Sequence, residues 1–160
     1  MEVNVNSYKW EAASANGVDS YFFPDEITKY MKEKYRHPAI YRWDIFKDEP
    51  DDMKTIYVGE TNKLCNRVGQ YLKPGKAQQT DKELNKKFHR YIAEGCNVRL
   101  EILQFDEIKI GDSTFNYSDI SKSEEDFGKF FRWFVEDLMV VIYKKKGFNV
   151  LNKPGRKGKT

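Results

Sequence analysis

The stretch from Phe130 to Tyr143 (Phe-Phe-Arg-Trp-Phe-Val-Glu-Asp-Leu-Met-Val-Val-Ile-Tyr) constrains this chain more than any other. A helix this rich in apolar side chains has to pack against a large neighbour. Ser121 and Glu124 have capping-box spacing ahead of it, so a helix is expected from about residue 125 to 146, closed by Gly147. Within it Glu136 shares a face with Trp133, Met139, Val140 and Tyr143, where a hydrophobe would be expected. A buried carboxylate is costly unless it is paired or binds a metal. Either Glu136 meets a cation such as Arg67 or Arg132, or it has a functional duty.

The neighbour for this helix is legible upstream. Residues 39–46 and 54–59 read as two strands of a hairpin around the polar turn Lys47-Asp48-Glu49-Pro50-Asp51-Asp52. A helix follows from about Asn62, with Leu64, Val68, Tyr71 and Leu72 inward, and Lys73-Pro74-Gly75 ends it. A lysine-rich helix over about 81–94 stops at Gly95, and residues 97–105 alternate Val98, Leu100 and Ile102 on one face of a third strand. Residues 108–117 read as a small extra hairpin around Gly111-Asp112, and 148–151 as a short final apolar segment. The first 20 residues look polar and irregular. Pro24, with Asp25 and Glu26 behind it, reads as the start of a charged helix running to Arg36 and stopped by Pro38.

The expected fold class is therefore α/β (α+β). A small central three-stranded, mostly antiparallel sheet is flanked by helices, with an N-terminal helical extension. The extension (1–37) would pack on a core domain spanning 38–160.

A length of 160 residues suits one core without disulfide or metal support. Aromatics at 15% point first to a core containing strands, with base-stacking surfaces as the alternative. The net charge of +3 is too small to identify a nucleic-acid partner by itself. Its distribution says more: Lys144, Lys145, Lys146, Lys153, Arg156, Lys157 and Lys159 follow one another without an acidic residue, a run that attracts phosphate but also aids solubility. Cys65 and Cys96 match neither a disulfide framework nor a zinc motif. No signal peptide or membrane-spanning run is legible, so a soluble, intracellular, cytoplasmic protein is expected.

Tyr41 and Tyr57 fall on adjacent strands of the hairpin, where their phenols can converge, and Arg67 follows ten residues after Tyr57. Ala39-Ile40-Tyr41, Tyr57-Val58-Gly59, Arg67, Glu136 and Asn152, in that order, resemble the successive signatures of the GIY-YIG endonucleases. Ala39 replaces the first glycine and Val58 the isoleucine, but both tyrosines are kept. The turn after residue 46 and the segment before the long helix are longer than usual for that family.

The resemblance implies a GIY-YIG nuclease-like fold and metal-dependent hydrolysis of phosphodiester bonds, with DNA as the partner. Glu136 would hold one divalent ion, Mg2+ or Mn2+ in its place, because Mg2+ accepts a single carboxylate and keeps several waters. Arg67 would contact the scissile phosphate. Tyr41 would act as general base and Tyr57 would place the water or phosphate. Since a phenol titrates near 10, Tyr41 needs Arg67, the metal or Lys63 to stabilise its phenolate. Lys63 and Tyr71 are candidate substrate contacts, and Gly59 and Asn152 structural residues beside the site. Asp137 points about 100° from Glu136 and would not share its site. His37 reads as a turn residue and His89 as a surface one. A restriction-type enzyme acting as a homodimer is the expected subtype. A repair or structure-specific nuclease, or a binding module without catalysis, are the alternatives.

Overall fold

The structure is a computed structural model that describes residues 2–154, so Arg156, Lys157 and Lys159 of the basic run lie outside the described residues. In chain order the elements are β1 (Val3–Asn6), β2 (Lys9–Ala12), α1 (Lys29–Lys34), β3 (Ala39–Phe46), β4 (Thr55–Thr61), α2 (Leu64–Leu72), α3 (Gln79–Ala93), β5 (Asn97–Gln104), β6 (Glu107–Ile110), β7 (Ser113–Asn116), α4 (Phe127–Lys145) and β8 (Asn149–Val150). The main sheet has five strands in the order β2-β5-β3-β4-β8, and a second, three-stranded sheet runs β1-β6-β7. Among the described residues only the β4–β8 pairing is parallel.

All eight residues of β3 are buried, because both faces of the sheet are covered. Tyr41, Trp43 and Ile45 face α2, α3 and the N-terminal segment. Ile40 joins Ile56, Val58 and Leu103 against Val135 and Met139 of α4. The long apolar helix thus finds its expected neighbour. On its side of the sheet the Arg42 guanidinium sits between Asp44 (2.8 Å) and Glu101 (2.9 Å), with Arg99 closing the cluster at 3.5 Å from Asp44.

The N-terminal region corrects the sequence reading: it is built of strands, not a helical extension, and the central sheet has five strands rather than three. β2 takes the free edge of β5, whose N–H and C=O groups would otherwise lack partners. The chain then crosses β5 again, with Ala13 N donating to Leu100 O (2.9 Å) and Phe23 N to Val98 O (2.8 Å). Pro24 lies in a turn after a cis peptide, and the helix begins only at Lys29, where the Thr28 hydroxyl accepts from Met31 N. At the other end α4 starts at Phe127, later than its spacing suggested. The capping box belongs to Asn116 and Asp119, one short helical turn earlier, instead of to Ser121 and Glu124.

Candidate active site

The first anchor is a backbone contact. Tyr41 on β3 lies directly opposite Gly59 on β4, and its ring folds across the glycine. A Cβ on Gly59 would stand 2.8 Å from Tyr41 Cε2 and would overlap Cζ and the hydroxyl. Only a glycine leaves room for that phenol. Asn152, just beyond β8, pins the next residue along β4: its Oδ1 accepts from Val58 N (2.9 Å) and its Nδ2 donates to Val58 O (2.7 Å). The amide behaves as one more residue of a parallel strand.

α2 carries Arg67 and Tyr71 to the same place, since residues four apart share a helix face. The Tyr41 and Tyr71 hydroxyls are 2.7 Å apart, and Arg67 Nε donates to Tyr41 at 3.1 Å. The guanidinium stacks 4.6 Å from the Tyr71 ring centroid. Its remaining edge forms a fork to Asp81 of α3, with both N···O distances 2.8 Å, and a further bond to Gln70 at 2.6 Å. Tyr57 packs its ring 6.5 Å from that of Tyr71.

Glu136 is 8% exposed on α4 and lines a cavity of about 600 Å³ together with Tyr57, Asn152, Glu83, Lys87 and Lys144. Arg67 opens into an adjoining groove of about 970 Å³, and Thr80 lines both. The two arginines weighed as partners for Glu136 serve other carboxylates, Arg67 pairing with Asp81 and Arg132 with Glu60. Glu60 also accepts from Trp133 Nε1 at 2.9 Å, which fixes α4 against the end of β4.

The structure therefore draws Tyr41, Tyr71 and Arg67 into one hydrogen-bonded group and sets Tyr57 between that group and Glu136. Lys63 occupies the N-cap of α2 and, among the described residues, is not part of the lining of either cavity. His37 bonds the Pro38 carbonyl in a turn, and exposed His89 packs its edge on Phe23. Sequence reasoning missed Asp81 and Glu60. A signal existed for Asp81: with Leu84 and Phe88 it lies on the inner face of α3, another carboxylate at an apolar position.

Burial governs the three phenols. Burial pushes the Tyr41 hydroxyl above its ordinary range, and the neighbouring Arg67 offsets only part of that. Burial likewise raises Tyr57, with Tyr71 and Glu136 adding to the rise, and raises Tyr71. At neutral pH all three stand as neutral phenols. A folded-state value above the unfolded one near 10 means their contribution to stability is complete below about pH 10 and is lost as pH rises further. Tyrosinate absorbance followed through an alkaline titration tests this. These three should ionise only together with loss of the folded circular-dichroism signal; smooth ionisation of all ten tyrosines in a still-folded protein would contradict this burial.

Among the described residues no helix is long and apolar enough to cross a membrane. No curated protein and no solved structure matches the chain. The family model of the GIY-YIG catalytic domain matches residues 38–115, which include Tyr41, Tyr57, Gly59, Arg67, Tyr71 and Asp81, while Glu136 and Asn152 lie beyond the match. The chain thus carries a GIY-YIG catalytic domain, a nuclease domain that hydrolyses phosphodiester bonds.

Proposed function

We propose that this protein is a Mg2+-dependent endonuclease of restriction type, cutting DNA where the Arg67 groove and the Glu136 cavity adjoin. The observation that carries this reading is the shared lining. Tyr57, Glu136 and Asn152 face one cavity, and Arg67 and Thr80 continue it into the next.

The donor set suits one hard divalent ion, the kind of cofactor members of this superfamily typically use. Glu136 offers a mostly buried carboxylate in a cavity of about 600 Å³, roomy enough for a hydrated ion; exposed Glu83 and, contrary to the expectation from helix spacing, exposed Asp137 line the same cavity. Among the described residues no group of three or more His, Cys, Asp or Glu side chains could hold a metal together, which suits a site for one ion better than a two-metal site. When bound, the ion supplies positive charge at the phosphoryl and leaving oxygens.

The chain's own residues do the rest. Arg67 offers its planar fork to the scissile phosphate. That fork is held by Asp81, so an incoming phosphate competes with the carboxylate for the same two N–H edges. Tyr41 and Tyr71, both neutral and hydrogen-bonded to each other, fix the tilt of the guanidinium. Tyr57, lining the cavity with Glu136, orients the attacking water through its hydroxyl. Burial outweighs Arg67 at the Tyr41 hydroxyl, so for Tyr41 to take the water proton as general base the positive charge of a bound ion is needed as well.

Incubating the protein with Mg2+ and a mixture of plasmid DNA, genomic DNA and RNA tests the substrate class. Discrete DNA fragments with intact RNA are expected. Degradation of RNA alone would overturn the DNA reading, and a continuous smear of DNA would overturn the restriction-type reading.

A further inference from the structure

The outward face of α4 carries a stripe of bare apolar side chains. Phe127, Phe130, Phe134 and Val141 are 37%, 58%, 37% and 62% exposed. With half-buried Leu138 they follow one another at spacings of three and four residues, within an arc of about 80° on the helix. That is the pattern of a helix–helix seam, turned away from the protein's own core. Ile110 and Phe115 of the β6–β7 hairpin widen the patch into a groove of about 880 Å³ beside Phe127 and Phe130. Phe127 packs on Phe115 and Phe131, and Phe130 on Trp133, yet a third or more of each stripe side chain but Leu138 still faces solvent, a larger apolar area in line than a domain usually leaves uncovered.

The charges at the two ends of the helix identify that partner. Exposed Glu124, Glu125 and Asp126 stand at the start of α4, and exposed Lys144 and Lys145 at its end. A second copy laid antiparallel along the stripe sets each acidic end against a basic end, whereas a parallel copy sets like charges together. We propose that the stripe is the contact between two copies of this chain, paired antiparallel about a two-fold axis near Phe134. The axis places Phe127 against Val141 of the second copy and Phe130 against its Leu138, so the same patch serves both partners.

Glu136 projects roughly 160° around the helix from the stripe, so pairing leaves its carboxylate uncovered, while Lys144 borders both the cavity and the pairing face. On the endonuclease reading above, the pair holds two sites in one rigid body and can cut both strands of a duplex. The pairing itself does not depend on that reading.

Sedimentation or light scattering should give the wild type twice the chain mass of 18.9 kDa. Phe130→Glu combined with Phe134→Glu should return a folded monomer, and if that pair fails to fold, Val141→Glu alone should weaken the dimer. Lys144→Glu with Lys145→Glu should also be monomeric at low salt. Mixing that variant with one carrying Glu124→Lys and Glu125→Lys should restore dimers, because each then meets the opposite charge. A wild type that stays monomeric across the micromolar range overturns the proposal, as does a dimer that persists in the folded Phe130→Glu/Phe134→Glu variant. A dimer that leaves DNA intact upholds the pairing and overturns only the nuclease reading.

Discussion

Replacing Glu136 with glutamine is expected to slow DNA cleavage by about 10³-fold, on the order of 4 kcal/mol of transition-state stabilisation, while DNA binding persists. The substitution keeps the size of the side chain and one acceptor oxygen but replaces the other with an NH2 donor and removes the charge. On the proposed reading, substrate affinity rests on Arg67 and the surrounding lysines, which the change leaves in place, so the loss should fall on kcat rather than KM. Single-turnover cleavage and a filter-binding or anisotropy titration on the same DNA separate the two. If Glu136 were only a structural carboxylate, the variant would lose stability and cleave at the wild-type rate once folded.

The second large effect is on the fold. Gly59→Ala is expected to cost about 3 kcal/mol, the upper end for a methyl group forced into a packed core. The added carbon would overlap a Tyr41 ring that cannot swing aside, being tied to Tyr71 and Arg67. For a chain of this size the melting temperature should fall by roughly 6–12 °C. Residual activity should fall further than folding alone explains, since displacing Tyr41 tilts Arg67. The matching control is Gly69→Ala in α2, where a Cβ meets only Ile27 at 3.5 Å. There the helix should gain up to about 1 kcal/mol. Opposite signs for two identical substitutions, read by thermal melts, would establish that Gly59 is required by the tyrosine; equal small effects would contradict it.

What the sequence makes legible follows from the range of the forces involved. The β3–β4 hairpin, α2, α3 and α4 are each specified by local periodicity and local stop signals, and they fold where that pattern places them. Glu136 stands out for a similar reason, as one charge on an otherwise apolar face. The N-terminal strands are only four residues each, and their partners β5 and β6 lie some 90 residues or more along the chain, too far for any local pattern to point to them. The Glu60–Arg132 pair spans 72 residues and was equally hidden. Tyr41 marks a different boundary. Its presence at the site is readable from the motif, but its protonation depends on burial by Tyr71, Trp43 and the rest of the core, which only the assembled structure supplies. Asp81 was within reach, since its place on the inner face of α3 shows the same anomaly as Glu136.

If Arg67, Tyr57 and Glu136 form one hydrolytic site that works with a divalent ion, cleavage must follow that ion. The rate at which purified wild-type protein nicks or linearises a supercoiled plasmid, followed as Mg2+ is titrated in and then removed with EDTA, tests it most directly. Cleavage should rise with Mg2+ to saturation, stop on chelation, return when Mg2+ is restored, and be nearly absent in Glu136→Gln and Arg67→Ala. Plasmid that is bound but remains intact with both Mg2+ and Mn2+, or that is cut equally well in EDTA, would contradict it.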